Sequence, residues 1–200
     1  LNTNELYGRN LTAGALDVMG QYYSVASSSH AFYNYGGLVY TGNDEKALFD
    51  NMWQKCYAVI ACCNTIIEKC DENKAGLSPV WRGSIKGEAL ALRAMLHFDM
   101  LRLFGPLTSE LDKESIPYQT NSDQTVTPLL SGSEVVGLIL DDLKNAVGLL
   151  KDTDPYFVEE EFSDTDLNYR RFRMNYFAAK GLMARVQLWG GDKEKDAATA

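Results

Sequence analysis

The sequence predicts an all-α fold, and three observations predict it. Apolar residues recur every three or four positions over long stretches, the spacing of one helix face. The clearest set is Ile85, Ala89, Leu92, Leu96, Met100 and Leu103. Start and stop signals bracket that stretch, Ser78-Pro79 before it and Gly105-Pro106 after it. No convincing run alternates apolar and polar residues as a half-buried strand would.

The elements follow in order. Residues 11–26 read as a helix with Leu11, Ala15, Met19 and Tyr22 or Tyr23 on one side. Residues 27–43 read as a loop, with Ser27-Ser28-Ser29, Gly36-Gly37 and Gly42 all turn-permissive. Asn43 or Asp44 can cap a helix over 45–73. That helix carries the stripe Phe49, Trp53, Cys56, Ile60, Cys63, Ile67 and Cys70. After a turn at Gly76-Leu77, Ser78 as N-cap and Pro79 at the first helical position open a helix to Phe104. Its second stripe, Leu90, Ala94, Phe98 and Leu101, makes it apolar on two faces, so it packs between neighbours.

Residues 105–130, with Pro106, Pro117 and Pro128, read as one long irregular connection. Such length goes with functional loops or ordered excursions. Ser131-x-x-Glu134 is a capping box that starts a helix to Lys151. Residues 152–171 read as an acidic, aromatic loop with Tyr156-Phe157 and Glu159-Glu160-Glu161. A helix over 172–190 follows, and another starts at Asp192. Ala178, Ala179, Gly181 and Ala184 are small enough to let helices approach closely.

Four strings in these helices resemble, in order, those of one family. Residues 87–107 read G-E-A-x-A-L-R-A-x-x-x-F-x-x-x-R-x-F-G-P-L. Trp53, Tyr57, Ile60, Asn64 and Ile67 form W-x-x-x-Y-x-x-I-x-x-x-N-x-x-I. Val135, Ile139, Asp142-Leu143, Ala146 and Leu150 form a third string, and Asn175 to Asp192 hold a fourth, A-A-x-x-L-x-A-R-V-x-L-x-x-G-D. Together they are similar to the helices of the SusD/RagB family, nutrient-capture lipoproteins of Gram-negative outer membranes. The resemblance covers 53–200; residues 1–45 match it only loosely.

The resemblance implies a tetratricopeptide-like stack of antiparallel helix pairs with long irregular loops. Family members are more than twice as long. The chain is therefore expected to be one SusD-like N-terminal helical domain over 1–200, a fragment truncated at both ends. A signal peptide and lipid-bearing Cys would lie upstream of Leu1, the only membrane attachment expected.

Composition narrows the partners. Nineteen Lys and Arg against 27 Asp and Glu leave a net charge of −8. No basic run exceeds Arg170-Arg171, which argues against nucleic acid and against an anionic membrane surface. No run of 18 apolar residues suggests a membrane span. Cys56, Cys63 and Cys70 recur every seven residues on one helix, about 10 Å apart along its axis, too far for disulfides. With Cys62 they are expected to be buried free thiols, and no His or acid completes a metal set. No cofactor is implied.

No hydrolase, metalloprotease or phosphate-loop motif occurs among these residues, so the chain is expected not to be an enzyme. Glu88, Arg93 and Arg185, set among apolar neighbours, are expected to be paired structural charges. Asn64 is expected to hold a loop, and His97 to be a satisfied interior histidine.

The best ligand candidate is the loop Ser27 to Asp44. It brings His30, Tyr33, Tyr35 and Tyr40 together with Asn34, Asn43 and Asp44. Sugars present an apolar C–H face and a ring of hydroxyls; aromatic faces and amide or carboxylate partners suit both. The competing expectation is that these aromatics only pack the loop or meet the transporter. The resemblance implies glycan (oligosaccharide or polysaccharide) binding at the cell surface and delivery to a SusC-like TonB-dependent transporter. A tetratricopeptide-like scaffold gripping a peptide or protein is the alternative.

Overall fold

A computed structural model describes residues 1–123, 125–154, 170 and 172–191. Leu1–Val59 form one compact unit and Ile60–Ala200 a second. In chain order the described elements are α1 (Ala15–Met19), α2 (Tyr33–Gly36), α3 (Asn43–Glu72), α4 (Pro79–Phe104), a 3-10 turn (Thr108–Glu110), β1 (Glu114–Pro117), β2 (Leu129–Ser131), α5 (Gly132–Thr153) and α6 (Tyr176–Gly190). The chain is thus dominated by helices. None of the described helices is long and apolar enough to cross a membrane. The expected acidic triplet at 159–161 and the helix from Asp192 lie outside the described residues.

Sequence signals start α4 and α5 as expected, whereas α3 already includes Asn43 and Asp44, the residues expected to cap it, and α6 starts at Tyr176 rather than 172. Ser78 caps α4 by accepting from the Trp81 N–H, with Pro79 in the first turn. Ser131 and Glu134 form the reciprocal capping box of α5. Asn175 caps α6 by accepting from the Ala178 N–H at 2.9 Å.

In the second unit, α4 packs on α5 and α5 on α6. The pairs run antiparallel. Ser84 donates to the Thr153 carbonyl, and Arg93 meets Asp142 ten residues or so further back. Tyr176 at the start of α6 bonds Asp154 after the end of α5. Close approach is set by glycine on α4, not by the small residues of α6. A Cβ at Gly87 would lie 2.7 Å from Leu150 Cγ, and one at Gly83 2.5 Å from Thr153 Cγ2. On α6 only Ala179 of the expected set is buried; Ala178, Gly181 and Ala184 are exposed.

The core follows the predicted stripes. Val135, Ile139, Leu143, Ala146 and Leu150 of α5 are fully buried. On α4, Ala89, Leu96, Met100, Leu90, Ala94, Phe98 and Leu101 are all buried, as a helix enclosed on two faces requires.

Three segments are organised differently from expectation. The helix expected over 11–26 is only Ala15–Met19, because Gly14 and Gly20 bracket it and glycine gains little from helical confinement. The 27–43 loop holds the short helix α2. The 105–130 connection contains an antiparallel pair, Glu114 opposite Ser131 and Pro117 opposite Leu129. Strands of four and three residues are too short to display an alternating pattern.

Candidate functional site

In the first unit a cleft forms where α1 ends. Gln21 has φ 61, a left-handed conformation uncommon for a residue with a Cβ. Its side chain supports the turn: Gln21 Nε2 donates to the Gly36 carbonyl at 2.9 Å, and the Tyr22 N–H returns to the Asp17 carbonyl. The reversal lays Tyr23 and Ser24 along one wall. The Tyr23 hydroxyl donates to Asp17 Oδ2 at 2.8 Å, and that bond raises its pKa.

The opposite wall is α2. Tyr35, 2% exposed, anchors it in the core with Ala15 and Val18. Its ring meets Phe32, Tyr40 and Phe49 at 5.8, 6.2 and 6.0 Å. Burial pushes the Tyr35 hydroxyl to about 12. With Tyr35 inward, Tyr33 and Asn34 face out. Asn34 Nδ2 donates to Glu45 Oε1 at 2.8 Å, which holds that carboxyl below its usual range. Gln21, Tyr23, Ser24, Tyr33, Asn34 and Val39 line an open cleft of about 370 Å³, a size suited to a small ligand.

The seven expected site residues therefore divide. Tyr33 and Asn34 line the cleft. Tyr35 is taken up by packing, and Tyr40 packs edge-on against Phe49 at 5.3 Å. His30 is exposed, and its Nδ1 accepts from the Phe32 N–H at 3.1 Å. Asn43 and Asp44 begin α3, both exposed and outside the cleft lining. Gln21, Tyr23 and Ser24 escaped the sequence reading because they fall in the stretch read as helix. The available signal was Gly20, a helix stop directly before Gln21-Tyr22-Tyr23.

In the second unit Glu88, Arg93 and His97 of α4 serve structure. Arg93 grips Asp142 through Nε at 2.7 Å and Nη2 at 2.6 Å, and donates to Asn64 Oδ1 at 2.9 Å. Burial pulls the Arg93 pKa down, but the hydrogen bonds and charge of Asp142 outweigh it and the net shift is upward. Asn64 Nδ2 donates to the carbonyls of Gln119 and Asn121 at 3.1 and 2.9 Å. Tyr118 donates to Asp142 Oδ2 at 2.6 Å and stacks on His97 at 3.9 Å.

His97 Nε2 accepts from the Gln119 N–H at 3.1 Å, which fixes Nδ1 as the protonated nitrogen facing the Arg93 carbonyl. Its pKa falls to about 3, chiefly through burial. Glu88 pairs with Arg170 and Arg173, at 3.1 and 2.9 Å. Arg185 differs from expectation. It is exposed, on the rim of a second cleft with Phe98, Arg102 and Trp189. Cys56, Cys63 and Cys70 are buried free thiols, whereas Cys62 faces solvent because it leaves the seven-residue stripe. Among the described residues, no group of three or more acidic, His or Cys side chains could hold a metal.

A family model described as starch-binding associating with the outer membrane matches residues 9–188. The chain belongs to the SusD-like family. A SusD-like protein of Bacteroides ovatus is 30% identical over 146 residues, covering 71% of this chain and 23% of that protein. One from Formosa agariphila is 34% identical over 96 residues, covering 47% and 17%. The chain thus spans under a quarter of these curated relatives. A SusD-like carbohydrate-binding protein of Bacteroides vulgatus shares the fold with TM-score 0.73 at 23% identity, over 98% of this chain and 39% of that one. A structure with xylogluco-oligosaccharide has TM-score 0.60 at 22% identity, over 87% and 30%. The tetratricopeptide-like helical fold expected from the sequence is therefore that of the SusD-like family.

Proposed function

We propose that this chain is the helical portion of an outer-membrane, surface-exposed, lipid-anchored protein that binds oligosaccharide and passes it to a partner TonB-dependent transporter. It holds the sugar without breaking bonds. The observation that carries the reading is the cleft between Tyr23 and Tyr33. Two half-exposed aromatic rings, 49% and 42% accessible, stand beside the amides of Gln21 and Asn34. An aromatic ring takes the C–H face of a pyranose, and amide and hydroxyl groups take its rim. The family description and the oligosaccharide in one structural relative support the same reading.

Tyr33 and Asn34 are the contacts that survive from the loop expected to bind, joined by Gln21, Tyr23 and Ser24. His30, Asn43 and Asp44 remain available at the surface but stand outside this cleft, and Tyr35 and Tyr40 act by shaping it. The test is affinity electrophoresis and calorimetry against neutral oligosaccharides, xylogluco-oligosaccharide among them. Binding that Tyr33→Ala weakens about tenfold or more, as loss of one stacking contact and its desolvated neighbours would, supports the reading. Capture of a peptide with no glycan retained would replace it with the scaffold reading.

A further inference from the structure

The cleft is biased in its electrostatics. Three of its polar side chains are tied to acceptors inside the protein. Gln21 Nε2 donates to the Gly36 carbonyl, Tyr23 to Asp17, and Asn34 Nδ2 to Glu45. Because those partners are a carbonyl and two carboxylates, which only accept, the amide orientations follow. That leaves acceptor oxygens on Gln21, Asn34 and Tyr23, beside the Ser24 and Tyr33 hydroxyls and a second Asn34 N–H that can still donate. No Lys, Arg or His lines the cleft. Two of its lining side chains, Tyr23 and Asn34, are bonded directly to carboxylates, Asp17 and Glu45.

A ligand that donates hydrogen bonds meets partners here. A carboxylate or sulfate meets no positive charge here and lies next to two carboxylates. Resting on the glycan reading above, we infer that the cleft selects uncharged, hydroxyl-rich sugars and rejects glycans bearing uronate or sulfate groups. The lack of a lining cation and the carboxylates of Asp17 and Glu45 set this selectivity, independently of which neutral sugar fits.

Calorimetry at low salt tests it. The probes are neutral xylogluco-, malto-, manno- and galacto-oligosaccharides, against oligogalacturonate of matched length and a sulfated galactan oligosaccharide. The best neutral probe is expected to bind at least about tenfold more tightly than either anionic one, as an unpaired polar group in a contact typically costs. Ser24→Arg, at an exposed wall position, is expected to raise oligogalacturonate affinity and narrow that ratio. Tyr33→Ala is expected to weaken the neutral probe.

Three results overturn the inference and remain distinct. Preference for oligogalacturonate that Tyr33→Ala abolishes keeps the cleft as a glycan site and removes its selectivity for neutral sugars. A neutral preference unmoved by Ser24→Arg, with Tyr33→Ala still weakening binding, means the selectivity arises elsewhere. Neutral binding untouched by Tyr33→Ala and Tyr23→Ala, or no glycan bound at all, removes the glycan reading of this cleft itself.

Discussion

The two units use the same side chains to opposite ends. Around Arg93 in the second unit, an amide, a tyrosine, a histidine and a carboxylate are buried together. Asn64 is engaged through both Nδ2 and Oδ1, His97 through both ring nitrogens, and Asp142 through both oxygens. In the first unit, Gln21, Tyr23 and Asn34 are engaged only through donors, and these residues line an open cleft. A polar group with both ends satisfied holds structure. One with a single end satisfied is positioned by the protein and still free to meet a ligand. The difference lies in which atoms are used, not in residue type.

The sharpest way to break this contrast is Arg93→Met. It leaves the Asp142 carboxylate buried without its partner, and about 3–5 kcal/mol of stability is expected to be lost in urea unfolding. A much smaller loss would mean the cluster is not a closed structural unit. Adding Asp142→Leu should recover part of the loss, since removing both charges is far milder than removing one.

Asn64→Ala is expected to cost about 1–3 kcal/mol, because it strips two loop carbonyls and an arginine N–H of their partner. Third comes pH. His97 is neutral in the folded protein, with its pKa depressed to about 3, while the unfolded chain takes up the proton near 6.5. Its contribution is therefore complete above pH 6.5 and is lost as pH falls from there toward 3. Each unit costs about 1.4 kcal/mol, or about 2 kcal/mol by pH 5. Denaturation of the protein and of His97→Gln at pH 7 and pH 5 checks this: the variant should show a flatter decline. The smallest effect belongs to the cleft. Tyr33→Ala should leave the unfolding midpoint within error of the parent while reducing oligosaccharide binding, because the ring is exposed and no core neighbour depends on it.

Much of the fold was legible because its signals are local. The α5 stripe from Val135 to Leu150, its capping box and the Ser78-Pro79 start of α4 each depend on spacing within one element. Even Asn64 and Glu88 could be read as structural, since a polar residue on an apolar helix needs a partner. What escaped depends on tertiary contacts. Tyr33 and Tyr35 are two residues apart with similar neighbours, yet one lines the cleft and the other is core. Only the packing of α2 on Ala15 and Val18 separates them. Tyr23 joins the cleft because Gln21 adopts a left-handed turn tied to Gly36, a link across 15 residues. Arg185 and Cys62 sat among apolar letters yet face solvent, because the helix face they occupy is not the one packed.

The segment Tyr118 to Ser122 has a consequence beyond its own shape. It has no continuous ladder of its own, yet side chains from three helices hold it: Asn64 and Glu68 of α3, Arg93 and His97 of α4, and Asp142 of α5. Its amides at Gln119 and Ser122 are closed by a histidine ring and a carboxylate. A stretch that looks like a surface loop is thus a common fastener for three elements. The Gln119 and Ser122 amide protons should exchange with solvent far more slowly than those of an open loop, since releasing them requires contacts with the helices to loosen.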